Sequence, residues 1–512
     1  MALSRKPIEI VNQGNHQLLT KANHWERVPL SDVAVVQNGF AFKSELFTHS
    51  EGKPLIRIRD IEDGWTENFY SGEYSDEFVV RKGDILIGMD GDFNAAIWQG
   101  VDGLLNQRVC RLIPTAKNFS DKFLFICLQP YLNAINAETS SVTVKHLSSK
   151  TIGKIPLPLP PLNEQHRIVA KIEELFSELD KGIENLKTAR AQLKVYRQAL
   201  LKHAFEGKLT AQWRAENRDK LESVAALQKR IQHERTRRYQ QQLADWEANG
   251  GGKPKAPKPL PPLTAEELAE LPELPEGWGW VRLASIVTVI SGYAFKSGDF
   301  VSAGVPVVKI ANVGYSEFVD KDQEYLDSSF LQTQKDFLVS PDDFLLALTR
   351  PITNNRTKVC RYPKDAPLAL LNQRVSAMKD VEINPEFLYS YFGTSLFKES
   401  IRSKFSETLQ PNLSPKDLEA CPIPICALAE QAQIFCEIEA RLSEVDQLEL
   451  TITTSLQQAE ALRQSILKKA FSGQLVSQDP HDEPASKLLA RIKAERATAE
   501  ENSAVRQRGK RG

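Results

Sequence analysis

The chain has 512 residues, 41% hydrophobic and 26% charged, a composition typical of globular protein with roughly two to four domains. A net charge of −1 excludes a chain that is basic overall, so any surface that binds nucleic acid must be a local basic face. The six cysteines form no CxxC pair, which argues against a zinc site or a disulfide framework and indicates a reducing cytoplasm. The start, MALSRKPIEI, has no apolar signal region, and no run is apolar enough for a membrane span.

In chain order, strand-rich regions alternate with long helices. Runs such as VVRKGDILIGM read as short β-strands bounded by Gly and Asp, whereas the intervening regions carry apolar residues at helical spacing. The predicted segments are an N-terminal segment at 1–24, a strand-rich domain at 25–160, a long helix at 161–210, a helical segment with a Pro-rich linker at 211–277, a second strand-rich domain at 278–425, a second long helix at 426–476, and a C-terminal helix with a basic tail at 477–512.

This alternation is a tandem duplication. WERVPLSDVAVVQNGFAFKSELF from Trp25 matches WGWVRLASIVTVISGYAFKSGDF from Trp278, an offset of 253. LLNQRV occurs at Leu104–Val109 and again at Leu370–Val375, and LLKHAFEGKLT is matched by ILKKAFSGQLV, both at an offset of 266. Loops tolerate changes in length whereas packed helices do not, so the drift in offset belongs within the strand-rich domains.

Both long helices carry apolar residues at alternating steps of four and three, which is the heptad pattern of a coiled-coil seam. We favour a seam over a helix packed on its own domain because both copies keep the heptad. Asn163 is the predicted N-cap of the first helix, and Gly207 and Gly473 are the predicted C-terminal caps. About 43 helical residues correspond to roughly 60 Å, so two antiparallel helices would hold the strand-rich domains at opposite ends of a rod. The heptad positions are Ile168, Ile172, Leu175, Leu179, Gly182, Leu186, Ala189, Leu193, Tyr196 and Leu200 in the first copy and Ile434, Ile438, Arg441, Val445, Leu448, Ile452, Ser455, Ala459, Leu462 and Ile466 in the second.

Several of these motifs resemble the DNA-specificity subunit of a Type I restriction–modification system. They are GFAFKS and GYAFKS, GDILI, the repeated LLNQRV, the PLPPLNEQ entry to a long helix and the closing LxxAFxGxL. The resemblance spans nearly the whole chain. It implies an α+β fold, an internal tandem repeat of two strand-rich target-recognition domains separated by two long antiparallel coiled-coil helices.

The resemblance also implies a function and a set of partners. Each recognition domain would read one half of a split, asymmetric sequence in double-stranded DNA, and the helices would act as a molecular ruler. The helices would also dock two methyltransferase subunits, which use S-adenosylmethionine. Two restriction subunits, which are motor–nucleases that use ATP and Mg, would join for restriction. The chain itself would be a non-catalytic cytoplasmic protein.

The motifs of amino-methyltransferases and of nucleotide-binding loops are missing from the sequence, which agrees with a non-catalytic role. Asp84, Asp90 and Asp92 in GDILIGMDGDF allow an alternative, a metal-bound nuclease site. We favour a strand followed by an Asp/Gly-rich turn, because the second copy reads LLALTRPITNN there and has no acid at the positions of Asp90 and Asp92. No metal site is therefore predicted.

Residues identical in both copies cannot distinguish two different half-sites. We therefore expect the shared polar residues to be scaffold or contacts to the DNA backbone, since phosphate contacts position a protein without reading sequence. The lysines, in a turn-like Phe-Lys-Ser, are better phosphate candidates, whereas a structural ion pair is an equal alternative for the arginines. The candidate backbone contacts are Lys43, Lys296, Arg108 and Arg374, and Gln107 and Gln373 belong to the same shared set.

The base-reading residues should lie where the two copies diverge and are polar, because Asn, Gln and Arg pair with base edges in the major groove. The alternative is that these are solvated loop residues. The candidates are Asp92, Asn94, Ser140, Ser141, Thr143 and Lys145 in the first domain and Arg350, Asn354, Asn355, Arg356, Lys404, Ser406, Thr408 and Gln410 in the second.

Two further hypotheses remain at this point. The basic stretch LQKRIQHERTRRYQ either lies near DNA or, as we favour, is a solvated helix face. For the whole chain, the alternative function is a two-headed coiled-coil scaffold that binds protein or glycan, which the neutral charge favours. A fused methyltransferase or nuclease is opposed by the missing motifs.

Overall fold

The computed structural model describes residues 5–14, 16–115, 117, 119–139, 145–250, 253–254, 256, 260–405 and 410–509, with side chains described as far as residue 498. The chain forms two compact units. Unit 1 comprises Met1–Leu186 and Thr453–Gly512, and unit 2 comprises Lys187–Ile452. Both long helices are divided between the units, so each unit contains one strand-rich domain and half of each long helix.

The strand-rich domain of unit 1 contains a two-stranded, a four-stranded and a five-stranded sheet, with strand orders β1-β11, β2-β10-β7-β8 and β3-β5-β4-β9-β6. Its strands are β1 (Glu26–Pro29), β2 (Ala34–Asn38), β3 (Phe47–Thr48), β4 (Lys53–Ile56), β5 (Phe69–Tyr70), β6 (Val79–Val80), β7 (Ile85–Gly88), β8 (Ala95–Ile97), β9 (Gly103–Leu105), β10 (Val109–Pro114) and β11 (Pro156–Leu159), and the helices of this part of the chain are α1 (Pro7–Asn12), α2 (Leu30–Val33), α3 (Asp121–Ala137), α4 (Ser149–Gly153) and α5 (Leu162–Phe205).

Unit 2 repeats the same three sheets, with strand orders β12-β24, β13-β23-β18-β21 and β14-β16-β15-β22-β17, and adds the hairpin β19-β20. The remaining helices are α6 (Ala211–Glu216), α7 (Val224–Asn249), α8 (Ala265–Ala269), α9 (Phe330–Thr333), α10 (Pro385–Phe392), α11 (Ser395–Arg402), α12 (Pro415–Glu419), α13 (Leu428–Phe471) and, in unit 1, α14 (Ala485–Gly509); the remaining strands are β12 (Gly279–Arg282), β13 (Thr288–Ser291), β14 (Phe300–Val301), β15 (Val305–Val308), β16 (Glu324–Leu326), β17 (Leu338–Val339), β18 (Phe344–Ala347), β19 (Ile352–Thr353), β20 (Arg356–Thr357), β21 (Val359–Arg361), β22 (Ala369–Leu371), β23 (Val375–Lys379) and β24 (Pro422–Ile425).

The repeated LLNQRV forms the end of one strand, a turn, and the start of the next. In unit 1 its two leucines are fully buried in β9 and its valine begins β10. A Cβ on Gly39 would lie 2.0 Å from the carbonyl oxygen of Asn106, and one on Gly292 would lie 2.1 Å from that of Asn372. Glycine is therefore required where the segment before AFKS passes over the Leu-Asn step of LLNQRV, since any side chain would collide with backbone.

Each long helix has 44 residues. The first begins at Leu162, so the prediction that Asn163 is its N-cap is wrong by two residues. The residue at the cap position is Pro161, whose carbonyl accepts the first helical hydrogen bond from the amide of Gln165 at 2.9 Å. The predicted caps at the other ends are confirmed, because Gly207 (φ 67°) and Gly473 (φ 72°) adopt the left-handed conformation that closes a helix.

A glutamine in the first turn of each long helix fixes that helix to its own strand-rich domain. Gln165 accepts a hydrogen bond from the amide of Ser120 (2.8 Å) and donates to the carbonyl of Pro160 (2.9 Å). Gln431 makes the same pair of bonds, with the amide of Asn384 (2.9 Å) and the carbonyl of Cys426 (2.7 Å). This duplicated clamp explains the glutamine in both PLNEQ and ALAEQ.

The long helices form the predicted antiparallel coiled coil. In unit 1, Asp180 pairs with Arg463, and in unit 2, Asp446 pairs with Arg197. The second pair is the first one repeated, because both members are offset by 266 residues, and partner numbers fall as helix numbers rise. The heptad position Ile172 is buried in the core of unit 1, and Val445 and Ile452 are buried at the middle of the second long helix. Other heptad positions of that helix, Leu448 and Leu462, are each 51% exposed. The seam and the packing on a domain therefore occur in the same helices.

The helix that follows each long helix packs onto the other strand-rich domain. Leu227 and Ile231 of α7 are buried in the core of unit 2, and Leu488 and Ile492 of α14 are buried in the core of unit 1. In the basic stretch on α7, Arg235 donates to the carbonyls of two residues of unit 2, and its neighbours Arg230, Arg237 and Arg238 form ion pairs with carboxylates of that unit. The stretch thus serves packing and local pairing. Within the described part of the chain, no helix has both the length and the apolarity that a membrane crossing requires.

Candidate nucleic-acid interface

The two divergent segments of each domain meet at one backbone junction. In unit 1 the amide of Met89 donates to the carbonyl of Arg108 (2.9 Å), and the carbonyl of Met89 accepts from the amide of Leu147 (2.7 Å). In unit 2, Leu348 makes the same two bonds, with the carbonyl of Arg374 (2.9 Å) and the amide of Leu413 (2.8 Å). One residue at the end of a buried strand therefore joins the shared Asn-Gln-Arg turn, the loop after the strand, and the segment that precedes α4 or α12.

In unit 1 the loop after β7 is a short turn with a buried anchor. The amide of Gly88 donates to the carbonyl of Asn94 at 2.8 Å, which closes the turn. Phe93 is buried although its φ is 57°, a conformation that costs a non-glycine residue about 1 kcal/mol or more. The anchor leaves Asp92 exposed at the tip and Asn94 half-buried beside it.

Asp90 links the shared arginine to the second divergent segment. One carboxylate oxygen lies 3.3 Å from a guanidinium nitrogen of Arg108, and the other lies 2.6 Å from Nδ1 of His146. Asp90 is 17% exposed whereas Arg108 is 55% exposed. The arginine therefore presents most of its surface to solvent while one edge is held by the carboxylate.

Lys145, predicted as a base reader, is used inside the domain. Its ammonium donates to the carbonyl and the side-chain oxygen of Asn136, at 2.8 and 2.7 Å, and its own carbonyl accepts from the amide of Gly91. The residue thus supports the loop that carries Asp92. The other candidates of this segment, Ser140, Ser141 and Thr143, lie outside the described residues.

In unit 2 the corresponding loop is longer and forms the hairpin of β19 and β20. Its two central residues, Asn354 (φ 51°) and Asn355 (φ 56°), both have the positive φ of a type I′ turn, which asparagine tolerates well. Arg356 lies 4.7 Å above the ring of Tyr315, and the Tyr315 hydroxyl bonds to Thr353. The hairpin is therefore a structured element with exposed amides at its tip.

Two cations of α11 support that tip. The ammonium of Lys398 donates to the carbonyl of Asn355 at 3.1 Å, and the guanidinium of Arg402 lies 3.5 Å from the side-chain oxygen of the same residue. Burial lowers the pKa of Lys398, and the nearby charge of Arg402 lowers it further. Lys398 and Arg402 lie one helical turn apart, so α11 directs both toward the hairpin.

The remaining candidates of unit 2 are distributed around this hairpin. Arg350 is exposed, has a φ of 48°, and bonds through its amide to the carbonyl of Pro411 (2.8 Å), which places it beside the exposed Gln410. Lys404 is half-buried. The pKa of nearby Glu267 is lowered chiefly by its hydrogen bond from Arg282, and the charge of Lys404 lowers it a little further. Ser406 and Thr408 lie outside the described residues.

The shared residues are exposed, as contacts to a DNA backbone require. Gln107, Gln373 and Arg374 lie at the surface of the Asn-Gln-Arg turns. Lys43 and Lys296 each precede a single 3₁₀ turn, and among the described residues neither ammonium has a hydrogen-bond or ion-pair partner. No described contact joins these lysines to the reading loops, so their role remains a prediction.

Sequence reasoning missed His146, Lys398, Arg402 and Tyr315, which become neighbours of the loops only through folding. For Lys398 and Arg402, an i,i+4 pair of cations near the end of a short helix was the available signal. Two of the three acids considered for a metal site, Asp84 and Asp90, pair with cations. Asp84 accepts from Arg111 at 2.9 Å, and among the described residues no three metal-ligating side chains are grouped.

The sequence of this chain is similar to those of known proteins. The model of the family described as "Type I restriction modification DNA specificity domain" matches residues 23–188 and 275–460. The specificity subunit of the Type I restriction enzyme EcoBI from Escherichia coli is 31% identical over 99% of this chain and 100% of its own length. The MjaVIII specificity subunit from Methanocaldococcus jannaschii is 24% identical over 82% of this chain and 86% of its own.

Solved structures share the fold. A chain of a type I R-M system, solved to explain complex assembly and conformational transition, superposes with a TM-score of 0.58 at 18% identity and covers 89% of this chain and 100% of its own. The HsdS subunit from Thermoanaerobacter tengcongensis superposes with a TM-score of 0.51, also at 18% identity, and covers 89% of this chain and 98% of its own.

Proposed function

Because this chain belongs to the family of Type I restriction–modification DNA specificity proteins, we propose that it selects the DNA sequence on which such a complex acts. The supporting observation is the duplicated junction, in which identical backbone bonds hold loops whose side chains differ. In unit 1 the loop carries Asp92 and Asn94, and in unit 2 it carries Arg350 and an asparagine hairpin. Each domain reads one half of a split target, and the two halves can differ because the heads differ.

The coiled coil sets the gap between the half-sites. Both helices have 44 residues, end at glycine caps and begin at glutamine clamps, so neither end can slip relative to its domain. The heads then read half-sites on one face of the duplex, about one helical turn apart, as dimeric readers do. A single chain thereby does the work of a homodimer without being restricted to a palindrome.

The chain acts without catalysis of its own and docks other subunits. Two methyltransferase subunits, using S-adenosylmethionine, bind along the helices, and two restriction subunits join them for cleavage. The relatives' names support this assignment, as specificity subunits of restriction enzymes. Testing the purified chain alone for methyl transfer checks it, and incorporation of methyl groups into DNA by this chain would contradict it.

The charges of the two reading surfaces favour different bases. Arg350 and Arg356 lie at the unit 2 loop. In DNA recognition generally, arginine pairs with the O6 and N7 atoms of guanine. Asp92 lies exposed at the unit 1 loop. A carboxylate in the major groove generally accepts a hydrogen bond from the amino group of cytosine. We expect a guanine in the half-site of unit 2, on the strand that Arg350 faces.

Mapping methylated adenines in the genome of the host is the direct test, because it reveals both half-sites and their gap together. Replacing Val28–Pro156 with the domain of another specificity subunit should then change one half-site only. The matched replacement of residues 281–422 should change the other half-site. If either exchange altered both halves, independent reading by two heads would be wrong.

A gel-shift experiment separates this function from the alternative, a two-headed scaffold for protein or glycan. Binding to duplex DNA should fall steeply with salt, because each phosphate contact releases counterions. A scaffold for other ligands would not show this dependence. The comparisons support DNA specificity and give the scaffold no support.

A further inference from the structure

The loop that follows β18 in unit 2 contains a hairpin too small to hold its own shape. Its strands, β19 and β20, have two residues each, and among the described strands they pair only with one another. An isolated two-stranded hairpin is marginally stable in water, so contacts from outside must fix its conformation. The turn between the strands carries the exposed residues Asn354, Asn355 and Arg356. The positions of these side chains therefore depend on what holds the turn.

Tyr315, in the loop after β15, holds one side of the hairpin. Its hydroxyl forms a hydrogen bond with the hydroxyl of Thr353, just before the turn. Its ring lies 4.7 Å from the guanidinium of Arg356, just after the turn, and its carbonyl accepts from the same guanidinium at 3.3 Å. A stacked guanidinium keeps its remaining N–H groups for a planar pair with a base. One tyrosine thus contacts both strands and directs the arginine.

Lys398, on α11, holds the other side of the hairpin. It is 8% exposed, and among the described residues its ammonium has a single hydrogen-bond acceptor, the carbonyl of Asn355, at 3.1 Å. Because a buried cation without an acceptor is costly, this bond ties the turn to the helix. Arg402, one helical turn further along α11, lies 3.5 Å from the side-chain oxygen of Asn355. Asn355 is therefore held through both its main chain and its side chain.

The repeat indicates that these cations belong to the hairpin and not to the common scaffold. At the offset of 266 that relates the two copies of LLNQRV, Lys398 corresponds to Leu132. Both residues are buried, which agrees with this register. The described sheets of unit 1 include no counterpart of the β19-β20 hairpin. A buried lysine is less favourable for folding than a buried leucine, so the turn that Lys398 holds explains its presence.

Unit 1 uses the same end of the equivalent helix, α3, for a different support. Asn136, the counterpart of Arg402 at the offset of 266, accepts two hydrogen bonds from the ammonium of Lys145, at 2.8 and 2.7 Å. The carbonyl of Lys145 in turn accepts from the amide of Gly91, in the loop after β7. In both units, therefore, the end of this helix supports the divergent loop, through side chains that differ between the copies.

We propose that Tyr315, Lys398 and Arg402 are positioning residues for the half-site read by unit 2. They hold the turn of the hairpin in the conformation that presents Asn354 and Arg356 to DNA, without contacting a base themselves. This inference rests on the proposed function, because it takes the hairpin as a reader of DNA. It extends the set of residues that determine specificity from the exposed loop to the helix and the tyrosine that support it.

Competition gel shifts with the full chain test the proposal. The probes are the target duplex revealed by mapping methylated adenines and a set of duplexes that each carry one altered base pair in one half-site. Lys398→Met keeps the length and the apolar stem of the side chain and removes the hydrogen bond to Asn355. We expect its discrimination against altered base pairs of the unit 2 half-site to fall about tenfold, within the range of one bidentate base contact. Discrimination at the unit 1 half-site should be unchanged.

Two variants of Tyr315 test the other side of the hairpin and do not alter the buried helix. Tyr315→Phe removes the bond to Thr353 and keeps the ring beside Arg356, so its loss at the unit 2 half-site should be smaller than that of Tyr315→Leu, which removes both contacts. Lys145→Met is the matched control from unit 1. It should relax the unit 1 half-site and leave the unit 2 half-site unchanged. Thermal unfolding of each variant shows that the chain tested is folded.

Three results would overturn the proposal. Unchanged discrimination in folded Lys398→Met and Tyr315→Leu would show that the turn keeps its shape unaided, and the Tyr315 variants decide alone if Lys398→Met does not fold. An equal loss of affinity for all duplexes, with a salt slope smaller by about 0.9, would show that Lys398 contacts a phosphate instead. A loss at both half-sites together with a lower melting temperature would show a role in folding alone.

The wild-type chain in the same experiment separates this inference from the function on which it rests. If the wild-type chain discriminates at neither half-site, the proposed function is wrong and this inference falls with it. If the wild-type chain discriminates at both half-sites and the folded variants do so equally well, only the positioning role is wrong.

Discussion

At the scale of single residues, the repeat separates side chains that hold the fold from side chains that vary. Gly39 and Gly292 are identical because backbone lies about 2 Å from where a Cβ would stand. Arg108 and Arg374 occupy equivalent turns, yet among the described residues Arg108 faces a carboxylate, that of Asp90, and Arg374 does not. Identity between copies therefore reflects the shared backbone, whereas the partners of an identical side chain still differ.

We expect Arg374→Ala and Arg350→Ala to have different effects on DNA binding. Loss of an exposed shared cation should weaken binding to all duplexes alike and reduce the salt slope by about 0.9. Loss of Arg350 should cost about 1–3 kcal/mol on the proper target and relax one position of one half-site. Gel shifts over a salt series measure both, and Lys229→Ala on α7 is the control. A loss of sequence discrimination in Arg374→Ala would contradict this assignment.

The cysteines give a prediction that depends on pKa. Burial raises the pKa of Cys110, Cys360 and Cys421 to about 12, and it raises those of Cys127 and Cys426 as well. At pH 8 these thiols stay protonated and unreactive, because only the thiolate attacks. Cys436 is exposed. Mass spectrometry after iodoacetamide should show one label on the folded chain and six in denaturant, and further labels on the folded chain would contradict the burial.

At the scale of elements, the seam of the coiled coil is built differently along its length. Near the ends, Ile168 and Ile466 belong to the core of unit 1, together with its strands. Leu175, Gly182 and Ala459, together with Ile466 at its edge, line an apolar groove of about 490 Å³. A heptad pattern alone does not distinguish these two environments, because both select apolar residues at the same spacing.

Two glycine substitutions should shift stability in opposite directions. Gly39→Ala places a Cβ 2.0 Å from a backbone oxygen, and overpacking of this kind costs about 1–3 kcal/mol. Gly182→Ala lies in the interior of α5 with nothing within 4 Å, and should stabilise the chain by about 0.5–1 kcal/mol. Urea unfolding measures both, and Gly292→Ala is the control for the first. If Gly39→Ala were as stable as the wild-type chain, the backbone at Asn106 would be able to move away from the added Cβ, and glycine would not be required at this position.

At the scale of the whole molecule, each unit is completed by residues from the far end of the chain or from the other repeat. The core of unit 1 includes Ile10 near the start and Ile492 near the end. The core of unit 2 includes Phe205 from the first long helix and Ile434 from the second. Each strand-rich domain therefore packs against residues of both long helices.

Inserting one heptad into each long helix should lengthen the gap between the half-sites and leave their bases unchanged. Seven residues add roughly 10 Å to a helix and preserve the seam, because the heptad register is kept. Mapping of methylated sites measures the gap and the bases together. An insertion of five residues, which breaks the register, is the control and should abolish modification. A change in the bases with an unchanged gap would show that the helices are not a ruler.

The sequence by itself determined the duplication, the antiparallel coiled coil, the glycine caps and the family. These features are repeated between the copies or periodic within one copy, so pattern alone reveals them. The N-cap of the first helix was misplaced because Pro161 already anchors the first helical hydrogen bond.

Only the tertiary structure decided which polar residues share a surface. It placed His146 against Asp90, turned Lys145 inward to Asn136, and set Lys398 beside the Asn355 turn. Such contacts join residues from 9 to 56 positions apart. They follow from how sheets and helices pack, which neither residue type nor local spacing encodes.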